Sequence, residues 1–565
     1  MAPKDTTPNE RIAERASLVD ALARSLAGTP AAGDGPAILE THLSWVVLAG
    51  DDAWKVKKPV AFDFVDFSTL ERRRLACEEE LRLNRRYSPA LYLAVVPIVG
   101  TVDAPRLGLP PPPAPGVAAG ADPDASAVVA SGPQAPIEYA VRMKRFSQRD
   151  IFGNMIADGR LDDDAIDALA AHVAALHAAA LTAIEPQAGT PALVRRQTLQ
   201  ALDGVAAAHG DDGRLARIRA NLGSVLDAAQ VVLEARRAQG FVRECHADLH
   251  LANICRFEGS VAVFDCLEFD PLLRQIDVVA DLAFTVADLL AWGRQDLAFR
   301  LLDRYLASSG DHAGLRVLRL YVAYRALVRA RVALLSASAG RVPGARAARP
   351  TRPSVDDYLA VADTVLRPAR PLLAILHGLS GSGKSRVAER LVARLPLIRL
   401  RSDVERKRLL GLPPLASTRS APGEGAYGPA QSQATYAALA AKATQVIEAG
   451  FDVLVDATFQ RRDDRRRFAA LAASTGAGFA IVDVQADADV MRARIRQRLD
   501  AGADPSEADE QVLARQHATA EPLTDDERAL GVRFDNSASR DAAALDAALL
   551  PVRERLASLR GGRDA

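Results

Sequence analysis

A glycine-rich stretch in the second half of the chain has the residue types that phosphate binding requires. It reads Gly378-Leu-Ser-Gly-Ser-Gly-Lys-Ser385, after an apolar run at 372–377 and before a run with helical spacing at 384–394. In such a strand–loop–helix, backbone N–H groups and the helix dipole point at phosphate oxygens. The lysine would reach the β- and γ-phosphates, and the final serine would bind Mg²⁺. The residues predicted to surround a nucleotide are Gly378, Ser380, Gly381, Ser382, Gly383, Lys384 and Ser385.

Two carboxylates and two arginines further along could complete a site for phosphoryl transfer. Asp456 ends an apolar run, at the position from which a carboxylate holds Mg²⁺ through water, and Asp403 follows a second run as a candidate base for a substrate hydroxyl. Arg494 and Arg498 are four residues apart on a predicted helix, so both could clamp the transferred phosphoryl group. Each assignment has a structural alternative. Asp456 could be a solvated strand end, Asp403 a helix N-cap, and Arg494 and Arg498 a solvated helix face.

A second set of residues with phosphotransfer chemistry lies in the first half. Asp248 and Asn253 have the spacing D-x-x-x-x-N, and an apolar run delivers Asp265 twelve residues later. The first carboxylate would orient and deprotonate a substrate hydroxyl, while the amide and the second carboxylate would hold Mg²⁺. His246 would brace this loop. The competing interpretation, a metal site built from His246, His250 and nearby cysteines, is disfavoured because the cysteine spacing does not fit.

Such a site also needs a lysine for the α- and β-phosphates and a glutamate to hold it. Only eight of the 71 basic residues are lysines, so a retained lysine can mark a place that needs a compact charge. Lys55 and Lys57 share one face of a predicted strand. Lys55 is the first choice for the phosphate-binding lysine, because Ala53-Trp-Lys55 fits the small-x-Lys pattern best, and Lys57 is the second. The next predicted helix offers Glu78, Glu79 and Glu80 as partners, and Glu80 is the first choice because Leu83 follows it at helical spacing. The alternative for these residues is a charged surface.

The surrounding patterns predict the elements that would carry these residues. Runs at 43–48 and 53–57 predict a β-hairpin, and residues 68–86 predict a helix with Ser68 as its N-cap. After residue 370, apolar runs alternate with helical ones, which predicts βαβ units on a parallel sheet. The predicted boundaries are an N-terminal extension at 1–36, a first domain at 37–338 with a flexible insertion at 101–136, a linker at 339–369 and a second domain at 370–565.

Composition excludes several classes of protein. The 565 residues carry no net charge, so bulk attraction to nucleic acid is not expected, and aromatic residues are only 5%, which argues against base-stacking platforms. No secretory signal or membrane-spanning run is evident, and the four cysteines lack paired spacing. We expect a cytoplasmic protein whose partner is a small-molecule hydroxyl acceptor, without a membrane partner. The oligomeric state cannot be read from these patterns.

Residues 370–530 resemble a family of small P-loop kinases related to gluconate kinase, chloramphenicol phosphotransferase, zeta toxin and the kinase half of polynucleotide kinase. The resemblance rests on the glycine-rich loop and three shorter stretches: Arg401-Ser-Asp403-Val, Val455-Asp-Ala-Thr-Phe459, and the helix of Arg494 and Arg498 with the following Ser506-Glu-Ala-Asp509.

Residues 37–335 resemble the aminoglycoside phosphotransferase-related kinases, specifically the subgroup fused to a P-loop kinase domain. One departure is that no G-x-G-x-x-G loop precedes Lys55. The stretches that carry the resemblance are Thr41-His-Leu-Ser-Trp45, Lys55-Val-Lys-Lys-Pro59, Asp66-Phe-Ser-Thr-Leu-Glu-Arg-Arg73 and Ile276-Asp277-Val-Val-Ala-Asp281-Leu-Ala-Phe284.

Together the two resemblances imply an α/β and α+β chain: a protein-kinase-like, bilobal domain of the aminoglycoside phosphotransferase type, then a three-layer P-loop NTPase domain. The activity implied is transfer of the γ-phosphoryl group of ATP to a hydroxyl, with Mg²⁺ and with GTP as a possible donor. The alternatives left open are a regulatory role for one nucleotide-binding domain, a nucleic-acid end kinase, and a toxin-like kinase acting on a nucleotide sugar.

Overall fold

The computed structural model divides the chain into two compact units. The first unit comprises residues 1–161, 179–188 and 240–281, and the second unit comprises residues 162–178, 189–239 and 282–565. The residues that the structure describes are 8–27, 37–62, 65–109, 135–210, 212–338, 353–368, 370–416, 418, 425–501 and 505–561.

The strands and helices follow one another along the chain within these ranges. The strands are β1 Ala37–Glu40, β2 Ser44–Ala49, β3 Asp52–Lys57, β4 Ala61–Phe62, β5 Val65–Asp66, β6 Tyr92–Gly100, β7 Pro105–Leu107, β8 Glu138–Lys144, β9 Val242–Glu244, β10 Ile254–Phe257, β11 Ser260–Val263, β12 Gln275–Asp277, β13 Leu372–His377, β14 Leu397–Arg401, β15 Asp452–Asp456, β16 Gly478–Gln485 and β17 Gly531–Asp535. The α-helices are α1 Pro8–Ala27, α2 Leu70–Tyr87, α3 Phe152–Ala157, α4 Asp163–Ala179, α5 Pro191–His209, α6 Gly213–Ala238, α7 Pro271–Arg274, α8 Val278–Ala291, α9 Gln295–Ser309, α10 Leu315–Ser338, α11 Val355–Leu366, α12 Lys384–Arg394, α13 Ser402–Leu409, α14 Pro429–Glu448, α15 Arg462–Thr475, α16 Ala488–Ala501, α17 Glu510–Thr519, α18 Asp525–Ala529, α19 Ala542–Ala548 and α20 Leu550–Gly561.

A six-stranded antiparallel sheet with a helix on each face forms the core of the first unit. Its strand order is β1-β2-β3-β8-β6-β7. Because side chains alternate along a strand, Trp54 and Val56 of β3 pack under Leu18 and Leu22 of α1, whereas Ala53 lies on the α2 face. Lys55 and Lys57 share the alternation of Ala53, so both point toward α2 rather than into the α1 layer.

A short antiparallel hairpin, β10–β11, supports the D-x-x-x-x-N stretch of the first unit. Ile254 pairs with Val263, and the N–H of Phe264 donates to the carbonyl of Asn253 at 3.0 Å. Asn253 immediately precedes this hairpin and Asp265 follows it. The twelve-residue separation noted in the sequence is therefore one hairpin, which brings its two ends together.

The second unit contains a five-stranded parallel sheet in the order β14-β15-β13-β16-β17. Every strand pairing in it is parallel, so all carboxyl ends lie at one edge. Strands β14 and β15 lie on one side of β13, and β16 and β17 lie on the other. The chain reverses its direction of winding at β13, and the loop after β13 is where ligands bind in sheets of this kind.

Helices from the middle of the chain also belong to the second unit. Helix α11 packs on α10 and α6, and α9 packs on α12 and β14. Residues 339–352 of the predicted 339–369 linker lie outside the described residues, whereas 353–368 include the packed helix α11, which begins at a capping box between Ser354 and Asp357. The domain limits drawn from the sequence remain predictions.

The structure corrects one local expectation and adds detail to two others. The N-cap of α2 is Thr69, not Ser68, because the Thr69 side chain accepts the N–H of Arg72. Within the predicted flexible insertion at 101–136, residues 105–107 form an edge strand paired with β6, and residues 110–134 lie outside the described residues. Of the predicted 1–36 extension, α1 is a packed layer of the first unit.

Among the described helices, none combines the length and the apolar character that crossing a membrane would require.

Candidate active sites

The glycine-rich loop of the second unit has a backbone that side chains would disrupt. Gly378 and Gly381 adopt φ values of 139° and 82°, in the region that favours glycine. A Cβ at Gly378 would collide with the carbonyl of Val484, and one at Gly381 would lie 2.6 Å from the carbonyl of Met491. The loop is therefore a close-fitting backbone cradle, and the N–H groups at the start of α12 can point into it.

Lys384, the first residue of α12, is buried at the base of this loop. Its Nζ donates to the carbonyl of Leu379 at 2.8 Å. Burial lowers the pKa of Lys384 to about 8, although the carboxylates of Asp456 and Asp403 act to raise it. A buried ammonium with so little countercharge is suited to an anionic ligand such as a phosphate.

A cavity of about 1000 Å³ brings together every site residue predicted for the second half except Gly378 and Ser382. Two polar atoms at the cradle are buried without a hydrogen-bond partner among the described residues: Oγ of Ser382 and Oδ2 of Asp456. Arg401 lies 3.7 Å from that Asp456 oxygen. An unsatisfied carboxylate oxygen beside a serine-bearing loop fits a divalent cation held by Asp456 and Ser385.

The predicted acid–base residue Asp403 lines this cavity from a helix rather than from a strand end. It lies in the first turn of α13, whose N-cap is Arg401 and has no side-chain capping bond. The helix-cap alternative for Asp403 is therefore wrong. Its carboxylate is available to the cavity, at the carboxyl edge of the parallel sheet.

The predicted arginine pair lies on α16 along the cavity wall. Arg494 donates to the carbonyl of Asn536 at 2.8 Å and approaches the carbonyl of Ser382 at 3.4 Å. Arg498 donates to the carbonyl of Ala508 at 2.5 Å. Because both donate to backbone carbonyls and line the cavity, a fully solvated helix face is the wrong description of this pair.

Sequence reasoning missed Asn536, which follows β17 and donates to the carbonyl of Ser382 at 2.9 Å. A Cβ at Gly383 would collide with this amide. No sequence signal marks Asn536, because its approach depends on β17 being the fifth strand of the sheet.

In the first unit, Lys55 joins two carboxylates from separate segments. Its Nζ lies 2.8 Å from Oε1 of Glu80 on α2, and it also contacts Oδ1 of Asp265. Burial acts to lower the pKa of Lys55, but the two carboxylates outweigh burial and hold it well above its ordinary value. The lysine therefore stays charged and ties the helix to the loop after β11.

Lys57 lies on the other side of the same glutamate. Its Nζ is 2.6 Å from Oε2 of Glu80 and contacts Glu268, a residue that the sequence argument did not select. Burial acts to raise the pKa of Glu80, and the two lysines overcome it and lower that pKa to about 2. A possible signal for Glu268 was its position three residues after Asp265, on the same short loop.

The side-chain amide of Asn253 is hydrogen-bonded to Asp248, the candidate base of the first unit. Its Nδ2 donates to the carbonyl and to Oδ2 of Asp248, both at 3.0 Å, and Nε2 of His250 lies 3.3 Å from the same carboxylate oxygen. The Asp248 side chain is 37% exposed, so it remains accessible to a substrate. Asp248, Asn253 and Asp265 thus lie around the two ends of one hairpin.

A buried aspartate fixes the loop that carries Asp248. The Asp281 carboxylate accepts the N–H of His246 at 3.1 Å and that of Ala247 at 2.7 Å. Ala247 and Asp265 both have φ near +65°, at 70° and 63°, a conformation uncommon outside glycine and concentrated at functional sites. Asp281 was part of the resemblance, but no role had been predicted for it.

The alternative metal site has no support in the described residues. Nε2 of His246 is bound to the carbonyl of Phe264 at 3.0 Å, and burial lowers the pKa of this imidazole. The thiols of Cys245 and Cys266 contact backbone carbonyls. No group of three potential ligands among the described residues includes both His246 and His250.

Comparison with known proteins places the chain in a family. Over 466 residues it is 32% identical to the uncharacterized protein Rv2004c of Mycobacterium tuberculosis strain H37Rv, a match that covers 81% of this chain and 86% of that protein. The uncharacterized protein Mb2027c of Mycobacterium bovis matches with the same identity and coverage. The chain belongs to the family of these mycobacterial proteins.

Residues 373–523 also match the family model described as an AAA domain, so the C-terminal half contains a P-loop domain.

Three solved structures are similar to parts of the chain. The gluconokinase from Sinorhizobium meliloti 1021 covers 34% of this chain and 96% of its own, with 19% identity and a TM-score of 0.25. The Mycobacterium tuberculosis APS kinase covers 34% and 100%, with 23% identity and a TM-score of 0.25. A choline/ethanolamine kinase family protein from Mesorhizobium loti covers 61% and 99%, with 11% identity and a TM-score of 0.31.

Proposed function

We propose that this protein is an ATP-dependent phosphotransferase with two nucleotide sites, one in each unit, and that small-molecule hydroxyls are the acceptors. The observation that carries the proposal is the cavity of the second unit. There the buried ammonium of Lys384, the glycine-rich cradle and the Asp456 carboxylate, whose Oδ2 accepts no hydrogen bond from the described residues, occur together. The AAA-domain match over the same residues supports it.

In the second unit, the proposed reaction is an in-line displacement on the γ-phosphorus of ATP. Mg²⁺, when bound, supplies charge neutralisation at the phosphates, and Asp456 and Ser385 are the residues that would hold it. The acceptor oxygen forms its bond to phosphorus as the bond to the leaving ADP oxygen breaks, and Asp403 takes the hydroxyl proton. Lys384, Arg494 and Arg498 would stabilise the charge on the transferring group.

In the first unit, we propose a protein-kinase-like fold of the aminoglycoside phosphotransferase type. Lys55, held by Glu80, would bind the α- and β-phosphates, while Asn253 and Asp265 would hold Mg²⁺. Asp248 would orient the acceptor and take its proton. What supports this assignment is that Lys55 contacts both Glu80 and Asp265, and that Asn253, which is hydrogen-bonded to Asp248, and Asp265 lie at the two ends of one hairpin.

The test is a comparison of ATP turnover and phosphate transfer by wild type, Asp248→Asn and Lys384→Met. Each protein is assayed with Mg²⁺ against a panel of hydroxylated metabolites that includes aminoglycosides. We expect each variant to lose one acceptor activity and keep the other, because the two residues belong to separate sites. If Lys384→Met removes all turnover and Asp248→Asn changes nothing, the first unit is not a catalytic phosphotransferase.

A further inference from the structure

Helix α9, which precedes the P-loop domain by more than 60 residues, contacts that domain through a buried ion pair. Asp303 of α9 and Arg399 of β14 form a bidentate pair, with N–O distances of 3.0 and 2.6 Å. The third guanidinium nitrogen of Arg399, Nη1, lies 3.3 Å from the carbonyl of Ser385. One arginine thus joins α9 to the first turn of α12, at the residue predicted to bind Mg²⁺.

A second contact joins the same two helices one turn further along. Arg304 of α9 contacts the carboxylate of Glu389 on α12, and Arg300 lies 3.4 Å from it. Arg300, Asp303 and Arg304 share one face of α9, and Ser385 and Glu389 share one face of α12, because residues three or four apart are neighbours on a helix. Helix α12 is therefore held at two successive turns.

Both partners of the Asp303–Arg399 ion pair are buried. Asp303 and Arg399 are each 6% exposed. Burial acts to raise the pKa of Asp303, but the Arg399 charge prevails and lowers it, so both partners remain charged. Removing one charge would leave the other buried without a counter-ion, which is strongly unfavourable.

We infer that Asp303 and Arg399 are positioning residues for the nucleotide site of the second unit, and that α9 is part of its machinery although it lies outside residues 373–523. The start of α12 provides the N–H groups, Lys384 and Ser385 that face the phosphates, so the direction of this helix sets their positions. Arg399 fixes that direction at Ser385, and Asp303 fixes Arg399. The inference rests on the proposed nucleotide binding by the P-loop.

The test uses full-length Asp303→Asn with Asp311→Asn as the matched control. Asp311 forms a bidentate, buried pair at 2.8 and 2.7 Å with Arg236, which lies on α6 rather than on β14 or α12. Both variants should lower the melting temperature. Only Asp303→Asn should also weaken binding of Mg²⁺ and a non-hydrolysable ATP analogue at the P-loop, by about tenfold in Kd, or about 1.4 kcal/mol. Binding is measured by calorimetry in the Lys55→Met background, which isolates this site.

The outcomes separate the inference from the proposed function. If Lys384→Met binds the analogue as the parent does in that background, or the parent binds none, the P-loop proposal itself fails. If Lys384→Met loses binding while Asp303→Asn and Asp311→Asn both bind like the parent, only the positioning role is overturned. If Asp303→Asn does not fold, Arg399→Lys takes its place, since it keeps the charge and loses the bidentate fork. An unchanged Kd in Arg399→Lys would equally overturn the inference.

Discussion

Replacing Lys384 by methionine should stabilise the nucleotide-free protein. The pKa of this lysine is about 8 in the folded chain against an ordinary value of 10.5. That difference of about 2.5 units, at 1.36 kcal/mol each, makes the charged form cost about 3 kcal/mol at pH 7. Methionine has a similar length and no charge. It forfeits the hydrogen bond to Leu379, worth about 1 kcal/mol, which leaves a net gain of about 2 kcal/mol.

The effect has a defined dependence on pH. Between pH 8 and 10.5 the unfolded chain binds a proton at Lys384 that the folded chain does not, so the free energy of unfolding of the wild type rises with pH across this window. The methionine variant lacks this rise. Its advantage over the wild type should therefore be complete below pH 8 and shrink as the pH approaches 10.5.

The assay is denaturant unfolding of both proteins without nucleotide at pH 7 and pH 10. The transition assigned to the second unit is the one that the ATP analogue shifts in the Lys55→Met background, where only the P-loop site remains, since a ligand stabilises the state it binds. A variant that is less stable than the wild type at pH 7, or a difference that does not change with pH, would refute the reasoning.

Two further predictions concern one residue in each site. Glu80→Gln should lower the free energy of unfolding by about 3 kcal/mol at pH 7, because it removes a buried countercharge from two lysines. This difference should shrink as the pH falls below 4.5 and be lost as it passes through about 2, where the carboxylate of the folded wild type becomes protonated, and acid titrations of unfolding check it. Gly378→Ala should abolish nucleotide binding at the P-loop, since its Cβ meets the Val484 carbonyl. Gly476→Ala, also at positive φ but with nothing within 4 Å of the added Cβ, should cost about 1 kcal/mol of stability and leave binding unchanged in a calorimetric titration.

The P-loop region was the most predictable part of the chain. Its strand at 372–377 and helix at 384–394 have the predicted bounds, because apolar runs and glycines define these elements locally. Asp403 and Asp456 follow from the parallel sheet, whose strand ends meet at one edge. Asn536 was not predictable in this way, since its contact depends on long-range packing.

In the first unit, the alternation of β3 was enough to place Lys55 and Lys57 on one face. It could not show that both lysines share Glu80, or that Glu268 holds the second one, because these contacts join three distant segments. The role of α9 was also out of reach. The predicted linker at 339–369 indicated a boundary, whereas the packing of α9 on α12 and β14 crosses it.

The central claim of two nucleotide sites is tested most directly by the stoichiometry of binding. Calorimetric titration of the full chain with Mg²⁺ and a non-hydrolysable ATP analogue should give two sites for wild type. Lys384→Met and Lys55→Met should each give one, and the double variant none. A single site in wild type that is lost with Lys384→Met and unaffected by Lys55→Met would contradict the account of the first unit.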